Sequence, residues 1–427
     1  MQRAIRILVG EGLVETRPGT GNFVRHARPA ARADYGWQTT ALGPARIDRS
    51  AIGSTLRQAP DDVISLHESY PSDDLLPVRA LRAALARAAK SRAVVDRPPP
   101  GGLPALRAWF ARELAQATPH GGDAPTGSDA LVVPGGQSAL SSTFRALAAP
   151  GEAVVMEAPT FWGAIAAARQ AELRIVPLAR EGDAVSPSAL DAALATSRAK
   201  LFYAQPHFAN PTGAVWSVAQ ADETMAVLRA HGAYLVGDDW AHDFALDVAA
   251  PPVAARDMDG RVIYIRSLTK SVSPAIRVAA VIARGPARAR IQTDRTVNDL
   301  YVSGILQAAA LEVISAPSRA AHLRAMHAQL RSRRDALARL VNRLLPEGTL
   351  TRVPAGGLNL WLRLPDDVSA VEVADRCALA GLFVSPGDEW FPTEPSGPFL
   401  RLNYSGPHPG RFEEAIRILA LLLESRG

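Results

Sequence analysis

Cysteine is nearly missing from this chain: Cys377 is the single one in 427 residues. One thiol excludes an intrachain disulfide framework, and no Cys/His cluster has the spacing of a metal site, so no metal is expected. A reducing cytoplasm is the expected compartment. Long apolar runs are missing too. No stretch reaches the length of a membrane span, and the N-terminus has no apolar signal core. Charge of one sign is only mildly in excess, with 47 Lys and Arg against 42 Asp and Glu. The resulting +5 is spread over many arginines and points only weakly to an anionic partner. No internal repeat is found.

What is present fits a globular protein. Hydrophobic residues make up 48% and charged residues 21%. The length allows two or three domains. Residues 3–24, RAIRILVGEGLVETRPGTGNFV, read as a short helix and two strands around a glycine turn. Residues 25 to about 60 lack sustained periodicity and read as a linker with short ordered pieces. PVRALRAALARAAKSRA and LPALRAWFARELAQA are helical patterns. From residue 130 seven short apolar runs recur between helical stretches: ALVVP, EAVVME, LRIVPL, KLFYAQ, AYLVGD, RVIYIRS and VAAVIA. Such runs predict a mostly parallel sheet buried on both faces, with ligands beyond the carboxyl ends of the strands. A long helical region and a smaller C-terminal α+β region follow.

The residues after these runs carry one chemistry. Gly135, Gly136, Gln137 and Ser138 open a helix, where backbone N–H groups and the dipole favour an anion. A plain tight turn is the bland alternative. Phe161 and Trp162 begin the next helix; each suits the core or a wall for a flat ring. Asn210 starts the turn NPTG. Asp238 and Asp239 end an apolar strand; one suits a helix N-cap, the other a buried ligand site. Lys270 follows a strand end among Ser267, Thr269, Ser271 and Ser273, with Arg277 beyond. A surface lysine is the bland alternative. A partly desolvated lysine has a depressed pKa and condenses with an aldehyde. Together these groups suit a flat aldehyde-bearing pyridine with a phosphate.

The ordered set PGGQSAL, EAPTFWG, NPTG, GDDW, SLTKSVSPAIR and FLRLNYS resembles the fold-type I, class I/II aminotransferase family of pyridoxal-phosphate proteins. The resemblance runs from about residue 63 to the C-terminus. It implies an α/β fold: a large domain with a mostly parallel seven-stranded sheet flanked by helices, and a small C-terminal α+β domain. The large part is expected over about 75–315 and the small part over about 316–427. By position, Lys270 is implied as the Schiff-base lysine and Asp238 as the partner of the pyridine nitrogen. Asn210 is implied as the donor to the ring hydroxyl and Phe161 as the stacking aromatic. Gly136, Gln137, Ser267 and Arg277 are implied as the phosphate cradle. Arg401 matches the arginine that pairs with a substrate α-carboxylate. The resemblance also implies transamination of an amino acid or amine, in which Lys270 shuttles a proton, and a site at a homodimer interface. Trp240 stands where the family has a tyrosine, and Arg97 with a proline run stands where a second one is expected. Both departures weigh against ordinary transamination.

Residues 1–25 resemble the later part of a GntR-type winged helix-turn-helix, with Arg17, Thr20 and Asn22 placed to contact DNA from the wing. A winged helix (1–25), a linker (26–62) and an aminotransferase-like domain (63–427) together resemble the MocR subfamily of transcription regulators. The first two helices of the reading module are not in this sequence, and an upstream start is the expectation. The chain is accordingly expected to hold the cofactor without reading DNA specifically.

Overall fold

A computed structural model describes residues 2–24, 34–43, 54–60, 62–249 and 251–424. Much of the expected linker, 26–62, lies outside the described residues. The chain divides into two compact units, Met1–Arg46 and Ile47–Gly427.

The first unit holds helix α1 (Gln2–Gly10), strands β1 (Val14–Arg17) and β2 (Gly21–Val24), and helix α2 (Gly36–Leu42). The strands pair antiparallel with Arg17 opposite Gly21. Gly19, at φ +75°, makes the tight connection that a side chain would strain. Thr20 N–H donates to Arg17 O at 3.1 Å and closes the turn. The Thr16 hydroxyl lies 2.8 Å from Asn22 Oδ1, and Arg17 bonds Glu15 and lies over the Phe23 ring. Thus Arg17 and Asn22 carry local partners on an exposed hairpin.

The second unit begins with β3 (Ile64–Ser65), α3 (Val78–Ala88) and α4 (Pro104–Ala117). The sheet strands then alternate with helices: β4 (Ala130–Val133), α5 (Gly136–Leu147), β5 (Ala153–Ala158), α6 (Trp162–Gln170), β6 (Arg174–Ala179), α7 (Pro187–Ser197), β7 (Leu201–Ala204), α8 (Val218–Ala230), β8 (Tyr234–Asp239), β9 (Val262–Ser267) and β10 (Ala279–Ile282). The seven strands expected from the apolar runs form one sheet in the order β4-β10-β9-β8-β7-β5-β6. Only β10 runs against its neighbours. Strands such as β4 (ALVV), at one edge, and β7 (LFYA), in the middle, are buried throughout, as strands covered on both faces must be. Edge strand β6 carries Pro177, where a missing N–H costs no ladder bond on the open side.

Helices α9 (Gly285–Asp299), α10 (Gly304–Ser315) and the 26-residue α11 (Arg319–Leu344) follow. The smaller part contains β11 (Asn359–Arg363), α12 (Ala370–Leu379), β12 (Leu382–Phe383), β13 (Ser385–Pro386), β14 (Phe399–Asn403) and α13 (Phe412–Glu424). Its antiparallel sheet has the order β11-β14-β13, and β12 pairs with β3. One apolar core lies under α3, α4, α7, α8 and α10, and a second under α5, α6 and α9. The sheet is therefore the middle of three layers. A third core, including Leu337, Leu360, Leu402 and Ile416, holds the smaller part together.

Candidate active site

The carboxyl ends of β4, β5, β7, β8 and β9 surround a cavity of about 490 Å³. Gly136, Gln137, Phe161, Asn210, Asp238, Trp240, Ser267, Lys270 and Arg277 all line it, so the cofactor residues inferred from sequence are brought together.

At one end the chain builds a cradle for an anion. Gly135 sits at φ +93° just before α5, whose first N–H groups have no preceding turn to bond. A Cβ on Gly135 would stand 2.5 Å from Arg277 Nη2, so the close approach of Arg277 requires glycine. Arg277 itself holds φ +45° and donates to Pro134 O at 3.3 Å. Among the described residues it has no ion-pair partner. Gln137 Nε2 donates to Gly163 O at 2.7 Å. A Cβ on Gly163 would overlap both Gln137 and the Phe161 ring. A cation, a helix start and Ser267 around one open end fit a phosphate.

Asp238 lies deeper and is 4% exposed. Its Oδ2 accepts from the Tyr203 hydroxyl at 3.0 Å and Gln205 Nε2 at 2.8 Å. Burial pushes its pKa up, against the pull of these bonds and of Lys270. Gln205 Oε1 in turn accepts from Asn210 N–H at 2.9 Å. Neither carboxylate caps a helix. Asp239, pointing to the other side of β8, accepts from the Tyr264 hydroxyl at 2.6 Å and pairs with His242 at 2.8 Å. Burial pushes its carboxyl up, but His242 and His207 outweigh it and hold it well below the ordinary range.

Lys270 follows β9. Its Nζ stands 4.0 Å from the centre of the Trp240 ring. Burial, helped by Arg401 and opposed by Asp238, lowers its pKa to about 7. An amine neutral near pH 7 is a nucleophile for an aldehyde and a base for a carbon-bound proton. Among the described residues the buried Trp240 indole Nε1 has no hydrogen-bond partner.

Arg401 comes from β14, fully buried. It donates to Ser69 Oγ at 2.7 Å, Asn210 Oδ1 at 3.4 Å, and the carbonyls of His67 and Glu68. Its guanidinium lies over Trp390 at 4.7 Å. Burial, opposed by Glu389, lowers its pKa to about 9. Among the described residues it makes no ion pair, and its Nε has no partner.

The sequence reading missed Tyr203 and Gln205, which hold Asp238, and Tyr70 and Leu56, which also line the cavity. Tyr203 and Gln205 alternate along one run, KLFYAQ, and that spacing was a usable signal. Nothing local marks Tyr70 or Leu56.

The fold and this cavity define a pyridoxal-phosphate protein of fold type I. The chain belongs to the aminotransferase class I and II family, whose model matches residues 61–419. It is 25% identical over 433 residues to the uncharacterized HTH-type transcriptional regulator YdcR of Escherichia coli, covering 100% of this chain and 91% of that one. It is 26% identical over 392 residues to 2-aminoadipate transaminase of Thermus thermophilus, covering 90% and 96%. Among solved structures, LysN from Thermus thermophilus, an alpha-aminoadipate aminotransferase complexed with N-(5'-phosphopyridoxyl)-L-leucine, aligns with TM-score 0.81 at 24% identity, over 89% and 95% of the chains. An archaeal alanine:glyoxylate aminotransferase aligns with TM-score 0.83 at 22% identity, over 91% and 100%. Pyridoxal phosphate is the family's cofactor, and the unpaired Arg277 cradle, buried Asp238 and near-neutral Lys270 fit it.

Proposed function

We propose that this chain is a regulator of the MocR type, in which a pyridoxal-phosphate domain recognises an amino acid or amine and governs a DNA-contacting unit. In this reading residues 1–25 form the wing side of a GntR-type module, 26–62 a linker and 63–427 the ligand domain. Where the complete reading module is present, Arg17, Thr20 and Asn22 contact DNA from the exposed hairpin, and the domain works as a homodimer. The regulator-named relative YdcR, matched along the whole of this chain, supports this organisation.

Arg401 is the observation that carries the ligand half. A buried guanidinium without an anion is costly, and it stands beside Asn210, which lines the cavity together with Lys270. An α-carboxylate supplies the missing charge in a geometry suited to arginine's two parallel donors. Lys270 holds the cofactor through its amine. Asp238 keeps a proton on the pyridine nitrogen, and Phe161 walls the ring. Gly136, Gln137, Ser267 and Arg277 hold the phosphate, and Asn210 donates to the ring hydroxyl. The bound cofactor supplies an electron sink next to the amino-acid α-carbon. The freed Lys270 amine is then placed to move the α-proton.

Active aminotransferase chemistry is the second reading, favoured by the lowered pKa of Lys270. Trp240 opposes it, because an indole N–H cannot ionise as a tyrosine hydroxyl does. Spectra and product assays separate the two. The regulator reading expects an amino acid to change the spectrum of bound cofactor without sustained ketoacid release. Multiple turnovers with a ketoacid acceptor would establish the enzyme instead.

A further inference from the structure

Gln205 follows β7 and bonds two of the residues assigned to the cofactor at once. Its Nε2 donates to Asp238 Oδ2 at 2.8 Å, and its Oε1 accepts from the Asn210 N–H at 2.9 Å. These two bonds fix which way the amide points. Turned over, it would set an oxygen against a carboxylate and an NH2 group against an N–H. The backbone N–H of Gln205 reaches the buried Glu157 Oε2 at 3.4 Å, so the residue is held at both ends. Tyr203, two residues back on the same face of the strand, donates to the same Asp238 oxygen at 3.0 Å. Tyr203, Gln205, Asn210 and Asp238 are each at most 4% exposed, so this network is closed within one chain.

Two demands on Asp238 conflict. Burial favours its neutral form. A counter-ion for a protonated ring has to be ionised. A tyrosine hydroxyl serves either form, because it donates or accepts, whereas an amide NH2 only donates. A proton on Oδ2 would meet the Gln205 NH2 head on. The Gln205 bond is also about twice as strong to an ionised oxygen as to a neutral one. With Oδ2 taken by two donors, Oδ1 is the oxygen left for a ring nitrogen.

We infer that Gln205 is a positioning residue that keeps Asp238 ionised and so keeps the proton of the pair on the pyridine nitrogen. The inference rests on the reading of Asp238 as the partner of that nitrogen. Without the amide donor the proton crosses the hydrogen bond. The ring N–H bond breaks, an O–H bond forms on Asp238, and both groups become neutral. The electron sink that the bound cofactor supplies weakens with it.

The test is nitrogen-15 NMR of the full chain loaded with pyridoxal phosphate labelled at the ring nitrogen, whose shift reports whether it holds the proton. The parent protein is expected to show a protonated nitrogen near neutral pH. Gln205→Met keeps the side-chain length and removes the donor; Gln205→Leu removes it with a different shape. Either should move the proton about tenfold or more toward Asp238. Gln205→Glu is the rescue. Beside Asp238 a second buried carboxyl retains its proton and donates it in place of the amide, so the ring nitrogen should read as in the parent. Equilibrium dialysis checks that each variant still holds the cofactor. A residue that only packs would change stability and leave the nitrogen shift as it was. A parent-like shift in either loaded donor-free variant would overturn the inference, as would a lost ring proton in Gln205→Glu. An unprotonated nitrogen in the parent protein means that the Asp238 reading itself fails, and the role of Gln205 falls with it.

Discussion

Lys270 is the residue on which the chemistry turns. Its pKa of about 7 follows from burial beside Arg401, despite the nearby Asp238. The neutral amine should grow as pH rises through about 7, well below the range of an exposed lysine. Stopped-flow mixing of apoprotein with pyridoxal phosphate should show capture accelerating up to pH 8 and then levelling. Continued acceleration through pH 9–10 would mean an ordinary lysine. Arg401 faces a different test. Its replacement by Ala should weaken the amino-acid response by about 2–5 kcal/mol while the cofactor band persists. Lysine should rescue little, because an ammonium lacks the planar fork. Trp240 presses its ring against Lys270, and among the described residues its own N–H has no partner. Trp240→Tyr restores an ionisable hydroxyl, and ketoacid formation should rise. An unchanged rate would remove Trp240 as the brake.

The strands and helix starts explain why these groups meet. Lys270, Asp238 and Gly136 follow or end adjacent parts of one sheet, so a few strand ends deliver most of the site. The turn before α5 is its tightest part. Gly135→Ala would drive a Cβ into the Arg277 guanidinium and strain φ +93°. Affinity for pyridoxal phosphate should fall about tenfold or more, as equilibrium dialysis would show, with the far-ultraviolet circular dichroism unchanged. Beneath the site, Glu157 is fully buried with Arg180 at 2.5 Å and Trp216 Nε1 at 3.1 Å. Arg180→Met leaves that carboxylate unpaired and should cost about 3–5 kcal/mol in urea unfolding. Much of this was legible in the sequence because buried strands write themselves as short apolar runs and the functional groups follow directly. The run ALVVP announces β4, and the glycines after it announce the cradle. Tyr203 and Gln205 were half-visible, as polar members of an apolar run. Leu56 and Tyr70 were not, because their neighbours Ser54 and Ser69 are held by Glu389 and Arg401, more than 300 residues away in sequence. No local pattern encodes such a pairing.

The chain joins a small exposed helix-and-hairpin unit to a large cofactor domain, each compact by itself. We propose that the large domain holds pyridoxal phosphate on Lys270 and reports an amino acid through Arg401. The most direct measurement is the visible absorbance of the protein loaded with pyridoxal phosphate, titrated with L-phenylalanine, for the parent protein and the Lys270→Ala and Arg401→Ala variants. The expected result is a band that phenylalanine shifts in the parent protein, that Arg401→Ala keeps but shifts only at far higher phenylalanine, and that Lys270→Ala lacks. An unaltered band in Lys270→Ala, or an equal phenylalanine response in Arg401→Ala, would contradict it.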